Sequence, residues 1–478
     1  MRPGPHPARP IQYEVHTRTV ESGVDLSSLA EVVASHPDAA IIGGNDSVGR
    51  AGRFSIFAMQ PSHVLQLGPD TPDPLAAIEA YLAVPAPVLP PDMPAGLFAG
   101  GWIGFFSYDL GRHIEKLPDC AIDDLRLPLA RLAFYDHAIC YDHQNGIFRL
   151  VVAAPAGEPA IAGRKFGQLE ALLETARTNP PVPEPRFPAS QSYLDGVRSN
   201  MKRADYRRTF EAIQRHIRDG DVYQINLSQR FECDFNARPI DLFHWQSRHN
   251  PSPFAAYIAA DDFALVSASP EMFLTVRHGR ISTKPIKGTR PRVTAGPDMD
   301  ERNQRNLAEL LQSPKEQAEL NMIVDLERND IARVCKPGTR HVAEPRTIEA
   351  YPTVFHAVAT IAGELARPQK PGLIAEILRA AFPGGSITGA PKVAAMTIIE
   401  QLEPLRRGPY TGSIGYIGLD GSIQLNIAIR TAVIVGDKAY VQTGGGIVAD
   451  SDCDAEYDET LVKARALIEG IEAVSNPQ

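Results

Sequence analysis

Two pairs of carboxylates have a spacing that could do chemistry: Glu316 with Glu319, and Glu456 with Glu459. On a helix, residues three apart share a face. Two such faces brought together would form a negative, oxygen-rich cage suited to Mg²⁺, which keeps several waters and takes few direct carboxylates. The same spacing also describes two solvated helix faces. Gly444, Gly445 and Gly446 follow a strand pattern and precede the last helix pattern. Three glycines let backbone N–H groups approach an anion closely, or they make a tight connection. Lys287 lies in KPIKGTRPR (284–292), between Ile286 and Gly288. A lone lysine is ordinarily a solvated charge, but one drawn out of water has a lowered pKa and can act as a nucleophile. Arg430, between Ile429 and Thr431, needs a partner if it is buried. Either a bound carboxylate held by its planar fork or a structural salt bridge would serve. GGSITGAPK (384–392) looks like a phosphate loop, but Ala390 and Pro391 separate its last glycine from Lys392, so nucleotide binding is not expected. No G-x-S-x-G motif occurs, which sets simple ester hydrolysis aside.

Alternating blocks of strand and helix patterns must position these groups. Before residue 178, strand patterns at 54–59, 64–67, 132–141 and 147–153 mix with helix patterns at 74–82 and 164–177. Further on, Tyr206, Phe210, Ile213 and Ile217 recur at helical spacing, with Asp205 as the expected cap and Gly220 as the expected end. Strands are expected at 222–233, 254–258, 263–267 and 272–276, with a turn at His278 and Gly279. Helices are expected at 300–311, 314–333, 353–362, 373–381 and 391–401. Strands at 412–417, 423–435 and 439–443 and a helix over 454–472 close the chain. Arg430 then falls mid-strand, and each glutamate pair falls on a helix. Strands and helices come in runs rather than strict βαβ units, which predicts α+β rather than a doubly wound parallel sheet. The proline-rich stretch 84–94 reads as a surface loop and 178–189 as a linker. The expected organisation is a disordered tail over 1–12, an N-terminal segment over 13–177, a Pro-rich linker over 178–192 and a catalytic segment over 193–474.

Composition narrows the function classes. The 478 residues are 44% hydrophobic and 22% charged, which is ordinary globular usage. Lys and Arg total 48 against 57 Asp and Glu, a net charge of −9. Nucleic-acid binders usually carry a basic excess, so that class is disfavoured. No charge-free apolar run reaches the roughly 20 residues of a membrane helix; the longest candidate, 93–108, is broken by Pro94 and four glycines. The first ten residues lack an apolar signal core. The five cysteines form no C-x-x-C pair and read as reduced cytoplasmic thiols. The expectation is an acidic cytoplasmic enzyme with no nucleic-acid or membrane partner.

From about 206 to 467 the chain resembles the chorismate-utilising family. That family includes component I of anthranilate synthase and of aminodeoxychorismate synthase, and the isochorismate and salicylate synthases. The matching motifs are YQINLSQRF (223–231), SPEMFL (269–274), PIKGTRPR (285–292), MIVDLERNDIARV (322–334), FPGGSITGAPK (382–392), GSIGYIG (412–418), IAIRTA (427–432) and GGGIVADSDCDAEYDET (444–460). The resemblance implies a layered α/β/β/α sandwich of the anthranilate synthase component I type, with intertwined segments, so that 178–189 would be a crossing. It implies that Glu319 and Glu459 ligate Mg²⁺ directly, that Glu316 and Glu456 hold its waters, and that the metal grips the carboxylate on the chorismate ring. Arg430, Tyr416 and the amides of Gly444, Gly445 and Gly446 match groups holding the enolpyruvyl carboxylate and neighbouring oxygens. Gln224, Gly288, Thr289, Thr388 and Lys463 match further substrate-binding positions, and His356 a catalytic one.

Two positions bear on the subfamily. Isochorismate and salicylate synthases carry a water-activating lysine where this chain has Gln224, so water addition is disfavoured. Anthranilate synthases usually read P-I-A-G-T at 285–289; here it is P-I-K-G-T, the aminodeoxychorismate pattern. That pattern implies attack of Lys287 on C2 of chorismate with loss of the C4 hydroxyl. Ammonia then adds at C4 and expels the lysine, with Glu271 as general acid/base. No cysteine sits in a G-x-C-x-G glutaminase context, which implies a separate glutamine amidotransferase subunit in a heterodimer. About twenty residues follow the last motif, so no fused lyase domain is expected. The family often holds tryptophan beside a serine motif and an N-P-S-P-F loop; 250–254 matches the loop, but 41–44 reads Ile-Ile-Gly-Gly, without the serine. The alternatives are anthranilate synthase component I, or a non-catalytic subunit that binds chorismate or tryptophan.

Overall fold

The computed structural model describes residues 11–43, 52–180, 182, 194–368 and 370–476. Most of the expected tail and linker, and Gly44, lie outside the described residues. Two large sheets of 12 and 10 strands stack face to face. Each is built from both halves of the chain. In the larger sheet, Ala40–Ile42 pairs antiparallel with Phe254–Ala259. In the smaller one, Gly101–Phe106 pairs with Ser413–Gly418, Ile103 opposite Tyr416. The main core lies between the sheets and includes the fully buried Trp102, Phe105, Phe106 and Phe134. A second core separates the larger sheet from the helices Leu26–Ala34, Pro159–Thr178, Pro239–His249 and Cys453–Ser475. On the other side of the molecule, Pro314–Ala332 packs on the smaller sheet and on Leu373–Ala381. Helices outside and two sheets inside make the α+β sandwich that the motifs implied.

Several expected elements form as read: Phe54–Ala58, Pro74–Tyr81, Pro314–Ala332 and Leu373–Ala381. Others differ for identifiable reasons. Residues 353–362 are not a helix but the strand Val354–Glu364. Their alanines favour helix, yet the segment pairs with Ile286–Pro291, Arg280–Lys284 and His341–Ala350, and Phe355, Ala357, Val358, Ala359 and Ile361 are all buried. A strand buried on both faces shows no alternation, and its ladder outweighs propensity. The 132–141 run divides into Ala130–Tyr135 and His137–Asp142 around Asp136, one strand in each sheet. The helix Arg203–Asp219 is capped at Lys202, not at Asp205; Asp205 lies in its first turn, where its carboxylate accepts from the Lys202 N–H at 3.3 Å. The proline loop is pinned at Val88, whose N–H donates to Tyr13 O and whose carbonyl accepts from Val15 N–H.

Two further corrections concern the site. Residues 423–435 are two strands, Ile423–Asn426 in the smaller sheet and Thr431–Val435 in the larger, so Arg430 sits in the crossing between them and not mid-strand. Gly444, Gly445 and Gly446 are not a turn; they lie inside the strand Lys438–Ile447, opposite Ser228, Leu227 and Asn226.

Candidate active site

The site forms where the chain steps from one sheet to the other. Ala264–Ser269 in the larger sheet leads to Met272–Arg277 in the smaller, and Glu271 sits on that step. The reverse step, Ile427 to Arg430, lies alongside. The two are stitched together: Ile427 N–H donates to Glu271 O at 3.0 Å, Ser269 Oγ to Ile427 O at 2.6 Å, and Ala268 N–H to Arg430 O at 2.9 Å. Arg430 takes a positive φ of 51°, a conformation disfavoured for a non-glycine residue and held by its surroundings.

Lys287 reaches the same corner from the strand Ile286–Pro291. That strand carries a register irregularity against Val354–Glu364, with Gly288 at φ 101°. A bulge of this kind re-aims side chains. The half-buried Lys287 donates from Nζ to Ser386 O at 3.3 Å. Removal from water pulls its pKa below the ordinary lysine value, opposed by the Glu271, Glu319 and Glu459 carboxylates. Glu271 is 5% exposed and accepts from Ile286 N–H at 3.3 Å. Burial raises its pKa, against the lowering influences of Ser386 and Lys287. An amine poised toward neutrality therefore stands near a carboxyl poised toward protonation. His356, paired across the ladder with Thr289, lies 2.8 Å by Nδ1 from the Thr289 hydroxyl. Burial, assisted by Arg430, pushes its pKa down to about 4, so the ring is neutral at ordinary pH.

The glutamate pairs sit on Pro314–Ala332 and Cys453–Ser475, as the spacing required. Glu316 Oε1 accepts from Arg290 at 2.8 Å, while its Oε2 is buried with no partner. Glu456 accepts from Ser451 Oγ at 2.7 Å, and burial raises its pKa, with Glu459 adding to the rise. Burial also pulls on Glu459, but Lys463 at 2.6 Å outweighs it and holds the carboxyl below its ordinary value. Glu319 stands near enough to Lys287 to bias its charge. Among the described residues no three acidic or imidazole side chains already stand in a metal-ligating cluster. The donor set nevertheless fits a hard dication: one buried carboxylate oxygen is orphaned, and a second stands 2.9 Å from where a Cβ on Gly445 would be.

The glycines pack closely against the neighbouring strand. A Cβ on Gly446 would meet Gln224 Nε2 at 2.0 Å, and one on Gly444 would meet Leu227 O at 2.5 Å. Gln224 is fully buried and its Oε1 has no partner. Lys463 Nζ donates to Gly444 O at 2.8 Å, and Arg430 to Lys463 O at 2.8 Å. Thr388 is buried, its hydroxyl donating to Gly384 O at 3.1 Å. Tyr416 does not join this group. Its ring packs edge-on against Phe98 between the sheets; burial pushes its pKa up to about 12, and its charged neighbours are Arg277 and Asp420. Tyr410 is the tyrosine beside Arg430: it is buried, and each group biases the other's charge. It lies in RRGPY (406–410), just before GSIGYIG (412–418), and no motif in the sequence singles it out.

The family profile described as chorismate binding enzyme matches residues 46–469. The chain belongs to the chorismate-binding enzyme family. Within this family, aminodeoxychorismate synthase component 1 of Klebsiella aerogenes is 39% identical over 460 residues, 92% of this chain and 95% of that protein. Anthranilate synthase component 1 of Thermus thermophilus is also 39% identical, over 440 residues, 89% of this chain and 90% of its own length. The crystal structure of anthranilate synthase component I from Streptococcus pneumoniae superposes with a TM-score of 0.75 at 29% identity, covering 87% of this chain and 92% of that one.

Proposed function

We propose that the chain is component I of an aminodeoxychorismate synthase, converting chorismate and ammonia to 4-amino-4-deoxychorismate for 4-aminobenzoate and folate synthesis. Overall identity does not separate this from anthranilate synthase, since relatives of both names stand at 39%. The observation that carries the reading is Lys287: a half-buried amine with lowered pKa, near a buried carboxyl with raised pKa. In the proposed sequence the neutral amine attacks C2 of chorismate, both ring double bonds shift (C1=C2 to C1=C6 and C5=C6 to C4=C5), and the C4–O bond breaks. Glu271 donates the proton with which the hydroxyl leaves as water. Ammonia then attacks C4, the two double bonds shift back to C1=C2 and C5=C6, the C2–N bond breaks, and Lys287 departs as the amine. Arg430 and the amides of Gly444, Gly445 and Gly446 hold the enolpyruvyl carboxylate. Glu316, Glu319, Glu456 and Glu459 would hold Mg²⁺, which when bound supplies positive charge against the ring carboxylate.

We assign ammonia supply to a separate glutamine amidotransferase subunit in a cytoplasmic heterodimer. Support comes from the thiols: burial pushes Cys140 and Cys233 up to about 12 and raises Cys335 and Cys453, the reverse of an activated nucleophile. No helix among the described residues is long and apolar enough to cross a membrane. Incubation with chorismate, Mg²⁺ and ammonium should yield aminodeoxychorismate without pyruvate. Anthranilate with pyruvate would establish the anthranilate synthase reading instead.

A further inference from the structure

One buried ion pair touches three of the segments that surround this site: 226–228, Ile387 and 410–411. Arg407 and Glu403 are each 4% exposed. Arg407 Nε and Nη2 donate to the two Glu403 oxygens at 2.9 and 2.7 Å. The guanidinium's remaining bonds all go to the site's framework. Nη2 donates to Asn226 O at 2.7 Å, and Nη1 to Ile387 O at 3.1 Å and Thr411 Oγ1 at 3.3 Å. Its cationic face covers the rings of Tyr108 at 4.8 Å and Tyr410 at 5.8 Å. Glu403 Oε1 in turn accepts from Ser228 N–H at 2.9 Å and from Ser228 Oγ at 2.7 Å.

Four of these contacts lie close to groups assigned above. Ile387 follows Ser386, whose carbonyl accepts from Lys287. Asn226 lies two residues from Gln224 on the same strand, and its N–H donates to Thr388 O at 2.8 Å. Tyr410 neighbours Arg430, and Ser228 faces Gly444 across the ladder. A buried ion pair is a weak source of stability, because desolvation offsets most of its Coulomb energy. Its five guanidinium donors in a rigid fork are better suited to fixing several acceptors in register.

We infer that the Arg407–Glu403 pair is a positioning unit for this site: it holds the 385–388 turn against Lys287, and Tyr410 beside Arg430, from behind. The assignment of the site as a chorismate site rests on the proposed function; the positioning itself does not.

The test uses the full chain and two readouts. The first is trace labelling with acetic anhydride without substrate, comparing Lys287 with Lys165, an internal reference on the distant helix Pro159–Thr178. In Arg407→Lys the charge remains but the fork is lost. Lys287 should then label severalfold faster relative to Lys165, while general loosening would raise both together. The second is turnover of chorismate with ammonium, which should fall by roughly tenfold to a hundredfold, as expected for a small misplacement of reacting groups. Glu403→Gln should shift both readouts the same way, and the double variant should be far from additive because the pair acts as one unit. It also serves if Arg407→Lys melts at working temperature. An unchanged Lys287-to-Lys165 ratio with wild-type turnover in a folded variant would overturn the inference. A changed ratio in a chain that makes anthranilate would preserve it while removing the proposed function.

Discussion

Lys287 is the residue on which the chemistry turns. Its lowered pKa means that the neutral, nucleophilic form persists to lower pH than for a surface lysine. With chorismate and Mg²⁺ present and ammonia withheld, a covalent adduct should accumulate at Lys287, located by intact mass and peptide mapping. Its formation rate should rise with pH to a plateau that is reached below the ordinary lysine value of 10.5, and should fall continuously as pH drops beneath the lowered Lys287 pKa. Lys287→Ala should remove the adduct and slow amination, and Glu271→Gln should slow turnover by roughly 10²–10⁴-fold as a lost general acid. Wild-type turnover in Lys287→Ala, with no adduct trapped in the parent, would contradict the nucleophile assignment. The acidic residues give a second test. Glu319→Gln and Glu459→Gln should each abolish ammonium-dependent activity while circular dichroism stays unchanged, since several kcal/mol of charge stabilisation depend on the ion they would hold. Full activity in excess chelator would rule the metal out.

Among the elements, the helix Pro314–Ala332 carries more than the metal-site glutamates. On its buried face Glu327 is 7% exposed and accepts from Thr283 Oγ1 at 2.7 Å. Burial pushes its pKa up to about 8 from 4.5, with Glu271 and Asp330 adding to the rise. A carboxyl that keeps its proton in the folded chain longer than in the unfolded one contributes full stability below about 4.5. That contribution is lost as pH rises to about 8, at a slope near 1.4 kcal/mol per pH unit. Glu327→Gln should therefore be more stable than the parent at pH 8, with the difference vanishing near pH 4.5. Chemical denaturation across that range reads it directly. A constant difference at all pH values would show that Glu327 ionises normally in the fold.

For the whole molecule, the intertwined topology matters more than any linker. Both sheets join strands from the two halves, so neither half has a complete core of its own, and the corner holding Glu271 and Arg430 exists only when both sheets form. Nitrogen supply also belongs to this scale. The purified chain should use ammonium but release no glutamate from glutamine, since Cys140 and Cys233 are buried with raised pKa values and no cysteine, the exposed Cys120 included, sits in a G-x-C-x-G context. Glutamine-dependent turnover should appear on adding an amidotransferase subunit. Glutamate release by the chain alone would refute the division of labour.

Motifs such as PIKGT and the two glutamate spacings were readable from residue order because they are local: i,i+3 geometry follows from helix pitch, and 314–333 and 454–472 read as helices from periodicity. The family and the α+β class were legible for the same reason. Three features were not. The Val354–Glu364 strand reads as helix until its ladder partners are present, the adjacent His341–Ala350 on one side and the distant Arg280–Lys284 and Ile286–Pro291 on the other. The run 423–435 shows one unbroken β pattern, and only the stacking of two sheets places its break and sends Arg430 into the crossing. Tyr410 and Tyr416 are both tyrosines in one motif cluster, and which of them stands beside Arg430 depends on strand register in the sandwich. Burial and partners far apart in the chain are properties of packing, so the environments of Lys287, 99 residues from Ser386, and of the Arg407–Glu403 pair, 181 and 175 residues from Asn226 and Ser228, emerge only from the folded chain.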